Sequence, residues 1–581
     1  MPFYGSFCLV LHGHLPYVLS HGTWPHGTDW LSEATAETYL PLLRVFHTLL
    51  DEGVRPACTL GLTPILSEQL AHPGFAREFQ GYLAQKIAAA RKDKAEYRSQ
   101  GDKGMASLAE YWEGFYLGLK EDFRGRYRPG LPQAFKSLQD GGAIEIITCA
   151  ATHGYLPLLG SDLSVQAQIK QGIAAYERHF GRKPRGIWLP ECAYRPRYEW
   201  RSPIAPDGKA VLRKGVDEFL SENHLDYFIV DSHLLKGGKP IGVYLERFEA
   251  LKRLWTQFSL QHPERAEEAE KSPHDLFWTS SAAEGGKPVA VFARDPKTGL
   301  QVWSGEWGYP GDPQYLEFHK KKFPGGLRYW RVTQAGSDLG MKEAYDPEKV
   351  KERVAENADH FAGLVKSILK WHYEKTGRPG VVCAPYDAEL FGHWWFEGPE
   401  WIGAVMRRIH RDGDIKLATA SEALSAQPPR TVVALPEGSW GEGGFHYIWL
   451  NDLTRWTWKY IYDAEARMEK LARKHHKAKN VTIQRLLKQA GRELLLLEAS
   501  DWQFLITTLA ARDYAEMRFL EHAEAFNKLA DSLEDYAKKG RLAPSERRFL
   551  EECEERDDVF PDLDPAWFAK LEHPVDPGKE K

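Results

Sequence analysis

"GSFCLVLHGH", residues 5–14, runs apolar from Phe7 to Leu11 and then turns polar at His12 and His14. An unbroken apolar run with no polar alternation describes a strand covered on both faces, as in a parallel sheet packed between helices. Behind it comes "AETYLPLLRVFHTLLDEG" (36–53), whose apolar residues recur at helical spacing. The alternation repeats. Further strand candidates are "ACTLGLTP" (57–64), "AIEIITCAATHG" (143–154), "GIWLPE" (186–191), "YFIVDSH" (227–233), "PVAVFARD" (288–295), "VVCAPYDAE" (381–389) and "IKLATA" (415–420). A long amphipathic helix is predicted from about Pro347 to Lys375. Strand then helix, repeated, predicts an α/β protein with about seven parallel strands, closed into a barrel or left as an open sheet.

Two stretches break the alternation. Residues 73–140, with "SLAEYWEGFYLGLKEDF" (107–123), are charged and helical and read as an insertion between the second and third strands. Residues 438–575, with "RLLKQAGRELLLLEASDWQFLI" (485–506), read as a helical C-terminal domain. The barrel is then expected over 1–72 and 141–437.

At 581 residues the chain is too long for one small core. Its 43% hydrophobic and 27% charged content is that of an ordinary soluble globular protein. A net charge of -5 gives no electrostatic footprint for nucleic acid. No segment approaches the roughly 20 apolar residues of a membrane span. The first residues lack a basic region and a cleavage site, so secretion is not expected. The six cysteines contain no C-x-x-C pair and mostly sit in apolar runs, which points to reduced thiols and a cytoplasmic location.

The polar residues of interest fall at the C-terminal ends of the strand candidates. His12 and His14 follow the first, His153 the third, Glu191 the fourth, Asp231 and His233 the fifth, and Asp387 and Glu389 a later one. In parallel α/β folds ligands bind at this edge. In "GIWLPECAYRP" (186–196) a glutamate stands at the end of an apolar strand, which costs stability unless the acid is paired or has catalytic work. Arg195 is the partner expected for a structural ion pair.

His12 and His14, two apart, share a strand face. They read as a hydrogen-bonded pair, as ligands of sugar hydroxyls, or, with His153, as a metal site. Asp387 in "VVCAPYDAELFGHWWFEG" (381–398) reads as a helix cap when taken alone. Beside Glu191 in a matching position it reads as one of two carboxylates, the requirement for glycoside cleavage. Trp303 in "GLQVWSGEWGYPGD" (299–312), with Trp440 and Trp449 in "EGSWGEGGFHYIWLND" (437–452), is flanked by glycines and polar residues, so loop platforms for sugar rings are expected. "GSWGEGG" lacks the lysine and spacing of a phosphate loop. Asp501, after an apolar helix, reads as a cap or as an acid reaching into a cleft.

Taken in order, "HGHLPY", "ATHGYLP", "WLPECAYRP", "APYDAELFGHWW" and "EASDWQFL" resemble glycoside hydrolase family 57, and within it the 1,4-α-glucan branching enzymes. The resemblance implies an incomplete (β/α)7 barrel with a helical insertion and an all-helical C-terminal domain. It implies Glu191 as nucleophile and Asp387 as general acid/base. It sets His12, His14, His153 and Asp501 around the donor sugar, with Trp303, Trp440 and Trp449 on the acceptor side. Tyr244, in "LLKGGKPIGVYLE" (234–246), resembles a lid tyrosine of those enzymes. No metal and no cofactor is implied. The expected partners are α-glucan donor and acceptor chains, with a monomer or weak homo-oligomer and glycogen synthesis as the setting.

The mechanism this implies requires Glu191 ionised and Asp387 protonated at the outset. The apolar approach to Asp387 and the nearby Arg195 are expected to shift the two carboxyls accordingly. Rival expectations are an α-amylase or 4-α-glucanotransferase of the same family, a metal-dependent polysaccharide deacetylase using His12, His14 and His153, and a non-catalytic glucan-binding protein.

Overall fold

The computed structural model of the chain describes residues 2–23, 25–128, 130–236, 271–282, 287–305, 308–334 and 336–573. Eleven strands occur among them: β1 (Gly5–Gly13), β2 (Thr59–Leu62), β3 (Glu145–Cys149), β4 (Gly186–Trp188), β5 (Tyr198–Trp200), β6 (Val211–Arg213), β7 (Tyr227–Val230), β8 (Phe277–Thr279), β9 (Val289–Ala293), β10 (Gly380–Asp387) and β11 (Ile415–Leu417). Each apolar run marked in the sequence carries one of them. Every residue of β1 is buried, which is why that run shows no alternation.

The strand order β10-β1-β2-β3-β4-β7-β9 is parallel throughout, and β8 adds antiparallel to β9. The short β11 pairs with the first residues of β1, below the point where β2 takes over at Val10. Among the described residues the ends of the path meet at one bridge, Arg294 to Cys383, where the Asp295 amide donates to the Cys383 carbonyl at 2.8 Å. Seven parallel strands curl round without a full closing ladder, giving the incomplete barrel.

Helices cover the outside. The one at Leu40–Asp51 presses Leu42, Leu43, Phe46 and Leu49 into the core. The one at Pro347–Thr376 starts where the Asp346 side chain accepts from the Glu348 and Lys349 amides, and stops at Gly377, which takes the left-handed conformation at φ 69°. The β5–β6 hairpin has no counterpart in the sequence reading. Its strands are short and half exposed, so no apolar run announces them.

The insertion is a pair of helices, Pro73–Ser99 and Lys103–Arg124, with Phe79 against Phe123 at 4.8 Å between ring centres. The next helix, Leu131–Asp140, belongs with the barrel: Gln139 Oε1 accepts from the Ile146 amide of β3 at 2.8 Å and from the Tyr176 hydroxyl at 3.0 Å. Beyond residue 438 the described chain is helical, with main helices at Arg455–His475, Val481–Leu497, Asp501–Thr508, Arg512–Lys539 and Pro544–Arg556. A bridge between Gly154 and Ala499 ties this region to the end of the barrel, beside His153. No described helix is long and apolar enough to cross a membrane.

Candidate active site

At the C-terminal end of the strands lies a cavity of about 680 Å³, lined from three directions. The barrel supplies His12, His14, His153, Glu191, Asp387 and Glu389; the insertion supplies Tyr82, Gln85 and Lys86; the C-terminal helices supply Asp501, Phe504 and Leu505.

Glu191 stands on a turn that ordinary residues avoid. Its φ is 60° and that of Cys192 is 47°, both left-handed, and His153 across the cavity has φ 62°. A side chain in that region costs about 1 kcal/mol or more per residue, so the conformation persists only where surrounding contacts impose it. Those contacts come from the segment around residue 440. Tyr194 and Gly438 exchange backbone hydrogen bonds at 2.8 and 3.0 Å, and the Trp440 amide donates to the Glu191 carbonyl at 3.0 Å. The Trp440 indole N–H then donates to Glu191 Oε2 at 2.7 Å. Trp440 thus grips the carboxylate itself, a closer role than the acceptor platform expected from sequence. It packs edge-on against Trp188 at 4.9 Å and Trp303 at 6.0 Å.

Burial pushes the Glu191 carboxyl up to about 8; the Trp440 hydrogen bond opposes this, and the nearby Asp387 and Asp501 charges add to it. The expectation that Arg195 would hold Glu191 ionised is therefore corrected. Arg195 is fully buried elsewhere, 3.8 Å from Asp162 and over the Tyr198 ring. Successive residues around a tight turn point to different sides, and this one sends Arg195 away from the cavity.

Asp387 ends β10, opposite His12 in the register of the neighbouring strand. Its side chain makes no capping hydrogen bond to the turn that follows, so the helix-cap reading falls. Glu389, two residues on, is marked by sequence at the strand end but given no role there. It accepts from the Tyr39 hydroxyl and from the His14 amide at 3.1 Å, and burial pushes its carboxyl up to about 8, with the Asp387 charge adding to the rise.

The histidines make two hydrogen-bonded sets. His12 Nε2 lies 3.0 Å from His153 Nε2, His153 Nδ1 lies 2.8 Å from Ser500 Oγ, and His14 bridges Thr63 Oγ1 at 3.1 Å and Asp501 at 3.0 Å. Burial lowers the pKa of His12 and His153, favouring neutral rings. His153 Nδ1 is 4.0 Å from Glu191 Oε1. The ligating atoms of His14, His153 and Asp501 all fall within 4.8 Å of one another, as a cation site would need. The His14 and His153 rings, however, stack at 4.0 Å and 15°, so their in-plane lone pairs run side by side rather than converging on one point. That geometry suits hydrogen bonding to hydroxyls better than metal ligation.

Other sequence-marked residues sort as follows. Trp303 lines the cavity, but from the end of a helix (Pro296–Trp303) rather than a loop. Asp501 lines it from the first turn of its helix, with Ser500 as the capping position. Trp449 does not line it. It is 1% exposed and stacked on Tyr155 at 4.4 Å, directly beneath Gly441, where it supports the Trp440 segment from the core side. Asp231 and His233 also stay outside the lining. Asp231 pairs with Arg294 at 2.6 Å, and His233 Nε2 meets the Gly444 carbonyl at 3.1 Å, so they brace the same segment. Tyr244 lies outside the described residues. Trp188, beside Glu191 in the sequence, stacks on His12 at 4.6 Å, and Thr63 is a site neighbour that sequence did not mark. Thr63 signals itself only as the cap of the helix Pro64–Ala71.

Comparison with known proteins agrees with this architecture. Residues 8–436 match the profile of glycosyl hydrolase family 57, and residues 460–568 that of the 1,4-α-glucan branching enzyme C-terminal region. The chain is 43% identical to the 1,4-α-glucan branching enzyme of Thermococcus kodakarensis over 96% of its own length and 77% of that protein's. The crystal structure of that enzyme in complex with glucose superposes with a TM-score of 0.88 at 41% identity, covering 98% of this chain and 97% of that one. The family 57 branching enzyme of Pyrococcus horikoshii gives a TM-score of 0.86 at 42% identity over 99% and 98% of the two chains. An α-amylase of Thermotoga maritima follows with a TM-score of 0.79 at 29% identity over 98% and 99%. On the strength of the matched family profile and the near full-length relatives, the chain belongs to glycosyl hydrolase family 57.

Proposed function

We propose that Glu191 and Asp387 carry out a retaining double displacement on an α-1,4-glucan. The activity is that of a 1,4-α-glucan branching enzyme, the reading on which the branching-enzyme C-terminal match and the relatives above 40% identity agree. Glu191 attacks the anomeric carbon while Asp387 protonates the departing O4, leaving a covalent glycosyl-enzyme. Asp387, then ionised, takes the proton from the O6 hydroxyl of an acceptor glucose. That oxygen attacks, and an α-1,6 branch forms with retained configuration. The observation that carries this reading is that two carboxylates from strands far apart in the chain line one cavity, one of them held by an indole N–H.

The raised Glu191 carboxyl gives the chemistry its character. Ionised Glu191 is the costly form in the buried cavity, and hence a basic, reactive carboxylate. Positive charge developing on the sugar ring and the Trp440 N–H both favour that form. His12 and His153 supply neutral rings, and His14 and Asp501 further hydrogen-bonding groups, for the donor-sugar hydroxyls, and Trp303 and Trp440 an aromatic wall beside the scissile bond. We assign the barrel to 1–72 and 141–437 together with the helix Leu131–Asp140 packed on it, with the two insertion helices and the helical region from 438 as flanking domains. A reducing, cytoplasmic setting accords with six buried, unpaired cysteines, and a monomer or weak homo-oligomer with the expected glucan donor and acceptor completes the picture.

The α-amylase reading has one specific support, the Thermotoga maritima relative. Incubation with amylose and proton NMR of the product separates the two: new α-1,6 anomeric signals without matching reducing ends are expected, and reducing ends without branches would reject transfer.

A further inference from the structure

The cavity grades from dry to wet. Trp440 is 4% exposed at its floor, whereas Trp394 is 41% and Phe323 73% exposed, yet both still line it. Large aromatics left in water along a cavity wall mark a binding surface rather than an accident of packing. Phe318, also in the lining, stacks on Trp394 at 4.8 Å and 21°, so the two rings present one flat ledge.

The ledge is built, not incidental. Phe323 sits at the tip of a turn closed by the bridge Lys322–Leu327, with the Lys322 amide donating to the Leu327 carbonyl at 2.8 Å. The tip is fastened to the insertion helix Pro73–Ser99: Lys86 Nζ donates to the Gly325 carbonyl at 3.2 Å, and Lys322 Nζ meets Asp93 and Glu96 at 3.2 and 3.0 Å. Gly325 packs so closely there that a Cβ on it would fall 2.6 Å from the Ala89 Cβ. Lys321 and Glu33, paired at 3.2 Å, line the same cavity, with the Lys321 ammonium over the Phe318 ring at 5.8 Å. Flat apolar faces interleaved with polar side chains are what a sugar chain recognises, since each ring offers an apolar C–H face and a rim of hydroxyls.

We infer that Phe318, Trp394 and Phe323 form a remote subsite for an α-1,4-glucan, holding sugars some distance from the bond that Glu191 and Asp387 act on. This rests on the proposed function for the identity of the ligand. The occupant follows from continuity, because the ledge and the carboxylates line one cavity. A chain long enough to reach the ledge is held by it, and a short one is not, so the subsite makes affinity grow with chain length.

The test uses equilibrium binding in a Glu191→Gln background, so that turnover does not intervene. Calorimetric titration with maltotriose, maltoheptaose and short amylose should show affinity rising with length. Adding Phe323→Ala or Phe318→Ala should flatten that rise, weakening the longest ligand about five- to tenfold with little effect on maltotriose. Gly325→Leu, which removes no aromatic but must push the tip off Ala89, should flatten it as well. Equal weakening of short and long ligands, or an unchanged length profile, would overturn the proposal. So would equally tight binding of cellopentaose, the mark of an unselective apolar surface. Failure of the catalytic reading would show separately, as turnover surviving Glu191→Gln.

Discussion

Two groups in this molecule have the same composition and opposite employment. His14, His153 and Asp501 bring their ligating atoms within 4.8 Å of one another, and so do His21, His522 and Asp557. The first group faces the cavity, with His153 near Glu191. The second is sealed in the C-terminal helices: His21 Nε2 meets Asp557 at 2.7 Å, His522 meets Glu493 at 2.8 Å, and Arg518, fully buried, bonds His522 at 3.0 Å and the Tyr17 carbonyl at 2.8 Å. Two guanidiniums, Arg518 and Arg556, occupy the surroundings that a cation would need. Residue type alone does not make a site; access and the sign of neighbouring charge do. The second group locks the segment after β1 onto the C-terminal helices, and thereby holds His14 and Leu15 at the cavity rim.

Substitutions should separate the two groups. The largest effect belongs to the carboxylate beside the first: Glu191→Gln should lower kcat by roughly four orders of magnitude or more with the thermal midpoint little changed, read by a branching assay and calorimetry. Retained turnover would break the assignment. Next, Asp557→Asn should cost about 3–5 kcal/mol of stability, the range for removing one partner from a buried charged network, while the folded fraction keeps its kcat. Although burial opposes it, the His21 hydrogen bond and the Arg556 charge hold Asp557 below the usual carboxylate range. Its contribution is therefore present above the unfolded carboxylate pKa, about 3.9, and drains away as pH falls below it, so the wild-type advantage in urea melts should shrink from pH 7 towards pH 3.

Asp501→Asn should do the reverse of Asp557→Asn, lowering kcat/KM about tenfold to a hundredfold with only a small stability change. An equal loss of stability at both positions would erase the contrast. The smallest effect is a displacement in pH. Trp440→Phe removes the N–H that stabilises ionised Glu191, so the carboxyl rises further and the acid limb of the kcat/KM profile should move to higher pH. A limb that stays put or moves down would mean that another group sets it.

The strands were legible because parallel strands buried on both faces leave apolar runs in the chain, and the carboxylates at their ends could be read off the same runs. What could not be read was which side of a turn each side chain takes. Arg195 follows Glu191 closely in sequence yet leaves for Asp162, and Trp449 lies nine residues beyond Trp440 but underneath it rather than beside it. Glu389 went unassigned because its partners, Tyr39 and the His14 amide, come from a distant part of the chain. Contacts between remote segments decide these roles, and no local pattern records them.

The nucleophile can be caught directly. A slow fluorinated α-glucosyl fluoride should inactivate the enzyme by accumulating the glycosyl-enzyme, and peptide mass spectrometry should place the sugar as an ester on Glu191. Label on Asp387 or Glu389 instead, or stoichiometric labelling that persists in Glu191→Gln, would contradict the two-carboxylate assignment.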